Sequence, residues 1–153
     1  MIQLDVKAAS LFFFFATLDE QRAIEGSIQC LKYSQNRLSK NQDMTADIAL
    51  VAATKYVWDR NAGRFLRGRP NYLPDSGWLM PENLEMGAWK EFQKSAQEDE
   101  FLCLIWSKIL KISDEDISAG LGVSTGTLRY RVGRALRKLG AVVNPVTVKG
   151  NRT

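Results

Sequence analysis

The chain has 153 residues, 45% of them hydrophobic and 25% charged, and no histidine. That composition belongs to a soluble globular protein with one ordinary domain or two small ones. The missing imidazole removes His-based catalysis, most zinc sites and a physiological pH switch. The net charge of +4 is unevenly placed. From Ile117 onward there is no Asp or Glu, and Arg129, Arg131, Arg134, Arg137, Lys138, Lys149 and Arg152 contribute +7, leaving −3 for the first 116 residues. A basic end on an acidic body suits a nucleic-acid partner better than general stickiness; the bland alternative is a solvated helix face. Cys30 and Cys103 lie far apart in apolar helical patterns, as small core residues in a reducing cytoplasm do.

The N-terminal run AASLFFFFATL is too short for a membrane span. A signal peptide would open on basic residues rather than Asp5 and a single Lys7, so the run is expected to be a buried helix. Asp5 can cap that helix, which reaches about Ala16. Phe12 to Phe15 cover all its sides, so one neighbour cannot hide them. Either two helices sandwich this one or part of it faces a partner; the first is favoured because most large aromatics are core. Thr17 or Asp19 opens a second helix, with Ala23, Ile24, Ile28, Leu31 and Leu38 as its apolar face. After a loop, Thr45 begins a third, TADIALVAATKYVWDR, with Ile48, Val51, Ala52, Lys55 and Val57 in a less tidy pattern and Trp58 as a core plug or hinge contact.

From Asn61 the helical pattern breaks. Pro70, Pro74, Pro81 and intervening glycines mark a linker, whose Arg60, Arg64, Arg67 and Arg69 suit a phosphate backbone, an acidic protein surface or plain solvent. Pro81 fits the first position of a fourth helix with Leu84, Trp89, Phe92 and Ala96 at helical spacing. The acidic QEDE segment starts a fifth, in which Phe101, Leu102, Ile105, Ile109 and Ile112 face inward and pack across the segment that follows.

That segment, Ser113 to Gly140, reads as two helices joined by a tight turn. Ser113 caps an acidic first turn, with Asp116 three residues on; Ile117 and Leu121 form a buried edge, and Gly122 stops the helix. Ser124 caps the next helix, whose apolar stripe is Leu128, Val132, Ala135, Leu136 and Leu139. Gly126, Tyr130, Gly133, Arg134 and Arg137 face away from the stripe, with Thr127, Arg129, Arg131 and Lys138 on its flanks. A helix–turn–helix with arginines, threonines and a tyrosine pointing outward is a DNA-reading device. The fold class is therefore all-α, with an N-terminal helical module over residues 1–62, a basic linker over 63–80 and a helix–turn–helix domain over 81–153.

The stretch EFLCLIWSKILKISDEDISAGLGVSTGTLRYRVGRALRKLG resembles region four, the promoter-reading C-terminal domain of bacterial RNA polymerase sigma factors, particularly the small extracytoplasmic-function type. Ser113, Glu115, Ile117, Leu121, Gly122, Val123, Ser124, Gly126, Thr127, Leu128, Arg131, Val132, Arg134 and Ala135 carry the likeness. Asp116 stands where that family has Glu, and Ser118 where it has Ala. The output domain of two-component regulators is the nearest rival, echoed by Lys138, Leu139 and Gly140; Gly126 before Thr127 and the absence of a His at Arg131 favour the sigma reading. The N-terminal half is only faintly similar to a sigma factor's polymerase-binding domain: DIALVAATKYVWDR lacks the family's Gln, and no aromatic melting helix follows it.

The resemblance implies a recognition helix from Thr125 to Lys138 entering the major groove at its N-terminal end. Backbone N–H groups from Ser124 through Thr125 to Thr127 suit a phosphate. Arg131 and Arg134, with Arg129 and Tyr130 beside them, are candidates for base edges, and Arg137 and Lys138 for the phosphate backbone. The implied partners are double-stranded DNA, RNA polymerase core and an anti-sigma or other protein meeting the Phe12–Phe15 region, in a bacterial cytoplasm and without a membrane. The alternative is an adaptor or anti-activator that binds polymerase and keeps the fold without reading a promoter. No cofactor, metal or catalytic residue is implied: Asp114, Glu115 and Asp116 cluster, but at a helix N-terminus the macrodipole and cap account for them.

Overall fold

The structure, a computed structural model, describes residues 4–38, 44–65 and 86–143. The described residues form seven α-helices and no strand: α1 (Val6–Thr17), α2 (Glu20–Tyr33), α3 (Ala46–Phe65), α4 (Met86–Ser95), α5 (Glu98–Leu104), α6 (Asp114–Leu121) and α7 (Thr125–Val143). Helices α2 and α5 each run on into a π-helical turn, Ser34–Leu38 and Ile105–Ile109. No described helix is long and apolar enough to cross a membrane.

Helix α1 is the centre of the packing. Asp5 caps it by accepting from the Ala8 N–H at 3.1 Å, and Leu18 ends it in the left-handed region at φ 57°. All four phenylalanines are fully buried, because α1 is covered from several directions. Phe12 stacks on Trp106 at 5.1 Å, Phe13 meets Phe65 of α3 at 5.8 Å, and Phe15 meets Trp89 of α4 at 5.6 Å. Enclosure by neighbouring helices, the favoured expectation, is what occurs. The Phe12–Phe15 region offers no ring surface to a partner, which corrects the expectation of a docking site there.

Helix α2 buries a different face from the one its bulky residues suggest. Asp19 caps it through the N–H groups of Gln21 and Arg22. Its inward residues are Ala23, Gly26, Ser27 and Cys30, whereas Ile24 and Ile28 are 42% and 50% exposed. The reason is the close approach of α1: a Cβ on Gly26 would lie 2.6 Å from the Phe13 ring. Small residues let the rings lie against the α2 backbone, and the isoleucines are turned away.

Helix α3 begins at the cap where Thr45 accepts from the Ile48 N–H and runs past the break expected at Asn61. Its last turn is held by burial of Phe65, by Arg22 donating to the Phe65 carbonyl at 2.7 Å, and by the Arg64–Glu25 ion pair at 2.6 Å. Trp58 is fully buried, as a core plug is. Arg60 and Arg64 thus stand on a helix, with Arg60 donating to the Tyr56 hydroxyl; Arg67, Arg69, Pro81 and Leu84 lie outside the described residues.

The later helices close over the same core. Trp89 Nε1 of α4 donates to the Phe15 carbonyl at 2.8 Å, and Gln93 donates to the Ala16 carbonyl. Trp106 Nε1 donates to Thr54 Oγ1 of α3 at 2.9 Å. Buried residues from α1 through α7 belong to one continuous cluster. Cys30 and Cys103 are buried in it as free thiols, and burial pushes the Cys103 thiol up to about 11.

Helix α6 rests on α3 at a glycine contact. A Cβ on Gly120 would sit 2.7 Å from Val51 Cβ and 3.1 Å from the Ile48 carbonyl. Gly120→Ala should destabilise the protein by about 1–2 kcal/mol in urea unfolding despite alanine's better helix propensity. Gly87→Ala, where no described residue lies within 4 Å of the new methyl, is the control and should be neutral or stabilising. Stabilisation by both substitutions would contradict the close α3–α6 contact.

Candidate nucleic-acid interface

The turn is built as its residues dictate. Ser113 Oγ accepts from the Asp116 N–H at 3.2 Å, with Asp114, Glu115 and Asp116 in the first turn of α6. Gly122 adopts φ 71°, a conformation that costs glycine little, and its N–H closes on the Ser118 carbonyl. Ile117 is fully buried and Leu121 half-buried. Ser124 then caps α7: its Oγ accepts from the Thr127 N–H at 3.1 Å and lies 3.0 Å from Thr127 Oγ1. The N–H groups of Thr125 and Gly126, in the first turn, have no partner within the helix.

Helix α7 buries Leu128, Val132 and Ala135 against α4, α5 and α6. Leu139 is half-buried, but Leu136, expected in the stripe, is 42% exposed. The contact is narrower than the apolar pattern, and Leu136 falls on its solvent edge. The helix also continues beyond Gly140 to Val143. Ser124, Gly126, Thr127, Arg129, Tyr130 and Arg137 are exposed, and Thr125 and Gly133 are half-buried.

The basic residues divide into groups the sequence does not distinguish. Arg129 Nε is 2.9 Å from Asp114 of α6, and Arg131 Nε is 3.3 Å from Asp99 of α5. Arg134 Nε donates to Glu100 Oε2 at 2.7 Å, while its Nη1 donates to the Tyr130 hydroxyl at 3.2 Å and its guanidinium lies 5.7 Å from the Tyr130 ring centroid. Lys138 Nζ donates to Glu100 Oε1 at 2.6 Å. Arg137 makes no ion pair among the described residues.

Glu100 is the residue that sequence reasoning missed. It was legible as part of an acidic helix start, and its side chain does accept from the Gln97 N–H at 2.7 Å. The further signal was the four-residue spacing of Arg134 and Lys138, which lets one carboxylate meet both. Burial alone would raise the Glu100 carboxyl. The hydrogen bonds from Lys138, Arg134 and the Gln97 backbone, with the Lys138 charge, overcome that and hold it down at about 2. Hydrogen bonds to Glu100 and Tyr130 hold the Arg134 guanidinium above its ordinary value. No group of three or more His, Cys, Asp or Glu among the described residues could hold a metal.

The described residues form an all-helical, sigma-factor-like fold. Its fold is similar to that of the sigma factor RpoE from Bartonella quintana, solved in complex with the anti-sigma factor NepR, with a TM-score of 0.67, 18% identity and 91% of each chain covered. No family model and no curated protein sequence matches the chain.

The depressed Glu100 carboxyl has a pH signature. Its contribution to stability is complete above the ordinary value of 4.5 and is lost as pH falls towards 2. Glu100→Gln should therefore cost about 1–3 kcal/mol at neutral pH, through loss of charge-assisted hydrogen bonds. In urea titrations the difference from wild type should shrink steadily between about pH 4.5 and 2. A difference that stays constant down to pH 2 would contradict this role.

Proposed function

We propose that the chain is a sigma-factor-like transcription regulator that reads a promoter element in double-stranded DNA through α7, together with RNA polymerase core. It acts as a binding protein, in the cytoplasm, without catalysis of its own. The observation that carries the reading is the helix–turn–helix itself: a glycine turn and a serine-capped second helix whose N-terminal half presents the exposed Thr127, Arg129 and Tyr130 beside the half-buried Thr125. Ser124 and Thr125 suit a phosphate at the helix N-terminus. Arg129, Tyr130, Arg131 and Arg134 are the candidates for base edges and Arg137 for the phosphate backbone, while Lys138, the other backbone candidate, is held by Glu100. The likeness to a sigma factor fold supports the same reading.

A second reading is an adaptor that meets a protein partner and reads no promoter. It is favoured by the acidic partners that Arg129, Arg131, Arg134 and Lys138 already have within the chain. The structural neighbour's complex with an anti-sigma factor makes a partner of that kind the natural candidate.

Transcription in vitro with core polymerase and a genomic fragment library separates the two. The first reading expects specific starts that depend on the chain, and loss of roughly tenfold or more in site preference for Arg129→Ala. Capture of core polymerase or an anti-sigma factor without starts, and no retention of duplex DNA at moderate salt, would favour the adaptor and overturn promoter reading.

A further inference from the structure

Glu100 sits where the helix–turn–helix meets its support. Its side chain is 2% exposed, while the Arg134 and Lys138 side chains on it are 38% and 29% exposed. One buried carboxylate thus holds two cations at the solvent boundary, one on each oxygen. Engagement of Arg134 through Nε restricts how the guanidinium can turn. Nη1 then meets the hydroxyl of Tyr130, whose residue is 62% exposed.

We propose that Glu100 is a positioning residue for DNA recognition. It holds Arg134 and Tyr130 as a fixed outward couple and withdraws the charges of Arg134 and Lys138 from indiscriminate phosphate attraction. The inference rests on the DNA-reading role of α7 proposed above. An unpaired arginine on a flexible stem is drawn to any phosphate in reach, which raises affinity for every sequence alike. An arginine held by a buried carboxylate is pre-organised and engages only where the geometry rewards it. Asp99 is 45% exposed beside Arg131 and so restrains it less. Arg137, without an acidic partner among the described residues, is left as the general phosphate contact.

The test uses the full chain as wild type, Glu100→Gln and Glu100→Asp, with folding checked by circular dichroism. Binding is measured across salt concentrations to a duplex enriched by the wild type from a random library and to a scrambled duplex; retention on heparin is measured in parallel. Glu100→Gln should bind the scrambled duplex more tightly at low salt and steepen the salt slope by about one to two, since each released cation adds about 0.9. Its preference for the enriched duplex should fall by about tenfold, the scale of one base contact. Heparin elution should move to higher salt. Glu100→Asp keeps the charge but is one methylene short of reaching both cations, so it should lie between the two; it carries the test if the Gln variant does not fold.

A folded Glu100→Gln with unchanged slope and preference overturns the proposal. So does an equal loss on both duplexes that merely follows the unfolded fraction. If the wild type enriches no duplex, the DNA-reading role of α7 fails and with it the positioning of a DNA-reading couple. Heparin then decides the charge restraint: later elution of the Gln variant supports it, and unchanged elution overturns it.

Discussion

Four consecutive phenylalanines on one helix impose a constraint that no single neighbour can satisfy. Their rings point in every direction around α1, so each must find cover on a different element. The chain supplies that cover from both sides of residues 66–85: α2 and α3 come from before it, and α4 and the turn after α5 from after it. Burial of α1 therefore joins the N-terminal helices to the helices that support the helix–turn–helix. The hydrogen bonds from Trp89 to Phe15 and from Trp106 to Thr54 fix the same junction with direction as well as area.

The consequence reaches α7. Helix α5 is anchored in the aromatic core through Phe101 against Trp58, and its first turn carries Asp99 and Glu100 to the edge of α7. Those carboxylates, with Asp114 of α6, meet Arg129, Arg131, Arg134 and Lys138. The strongly basic end read from composition is thus partly balanced by acids brought to it by folding. Net charge along the sequence overstates what α7 offers to a polyanion, because an ion pair depends on tertiary placement rather than on sequence distance.

Local features were the most legible. The caps at Asp5, Ser113 and Ser124 and the stop at Gly122 follow from side-chain chemistry within a few residues, and each appears where the sequence puts it. Of Thr17 and Asp19, both open in the sequence, Asp19 is the cap, and Thr45 caps the helix it was expected to begin. Face assignments were less legible. Ile24, Ile28 and Leu136 are good hydrophobic candidates, yet the rings of α1 demand a small-residue face on α2, and the α7 contact is too narrow to include Leu136. The continuation of α3 to Phe65 depends on partners in α1 and α2, which lie outside any local window. In the candidate site, the turn and the outward residues could be read from spacing. The role of Glu100 could be read only in part: the spacing of Arg134 and Lys138 lets one carboxylate meet both, but which one is set by folding, since they stand 34 and 38 residues away in sequence.

The central claim is that burial of α1 makes the N-terminal helices and the helix–turn–helix one cooperative unit. Native-state hydrogen exchange across low urea concentrations measures this residue by residue. The slowest amides of α1, α3, α5 and the buried side of α7 should share one opening free energy and one urea dependence, that of global unfolding. Exchange of α6 and α7 through a separate opening of lower free energy and weaker urea dependence, with α1 to α3 still protected, would contradict it.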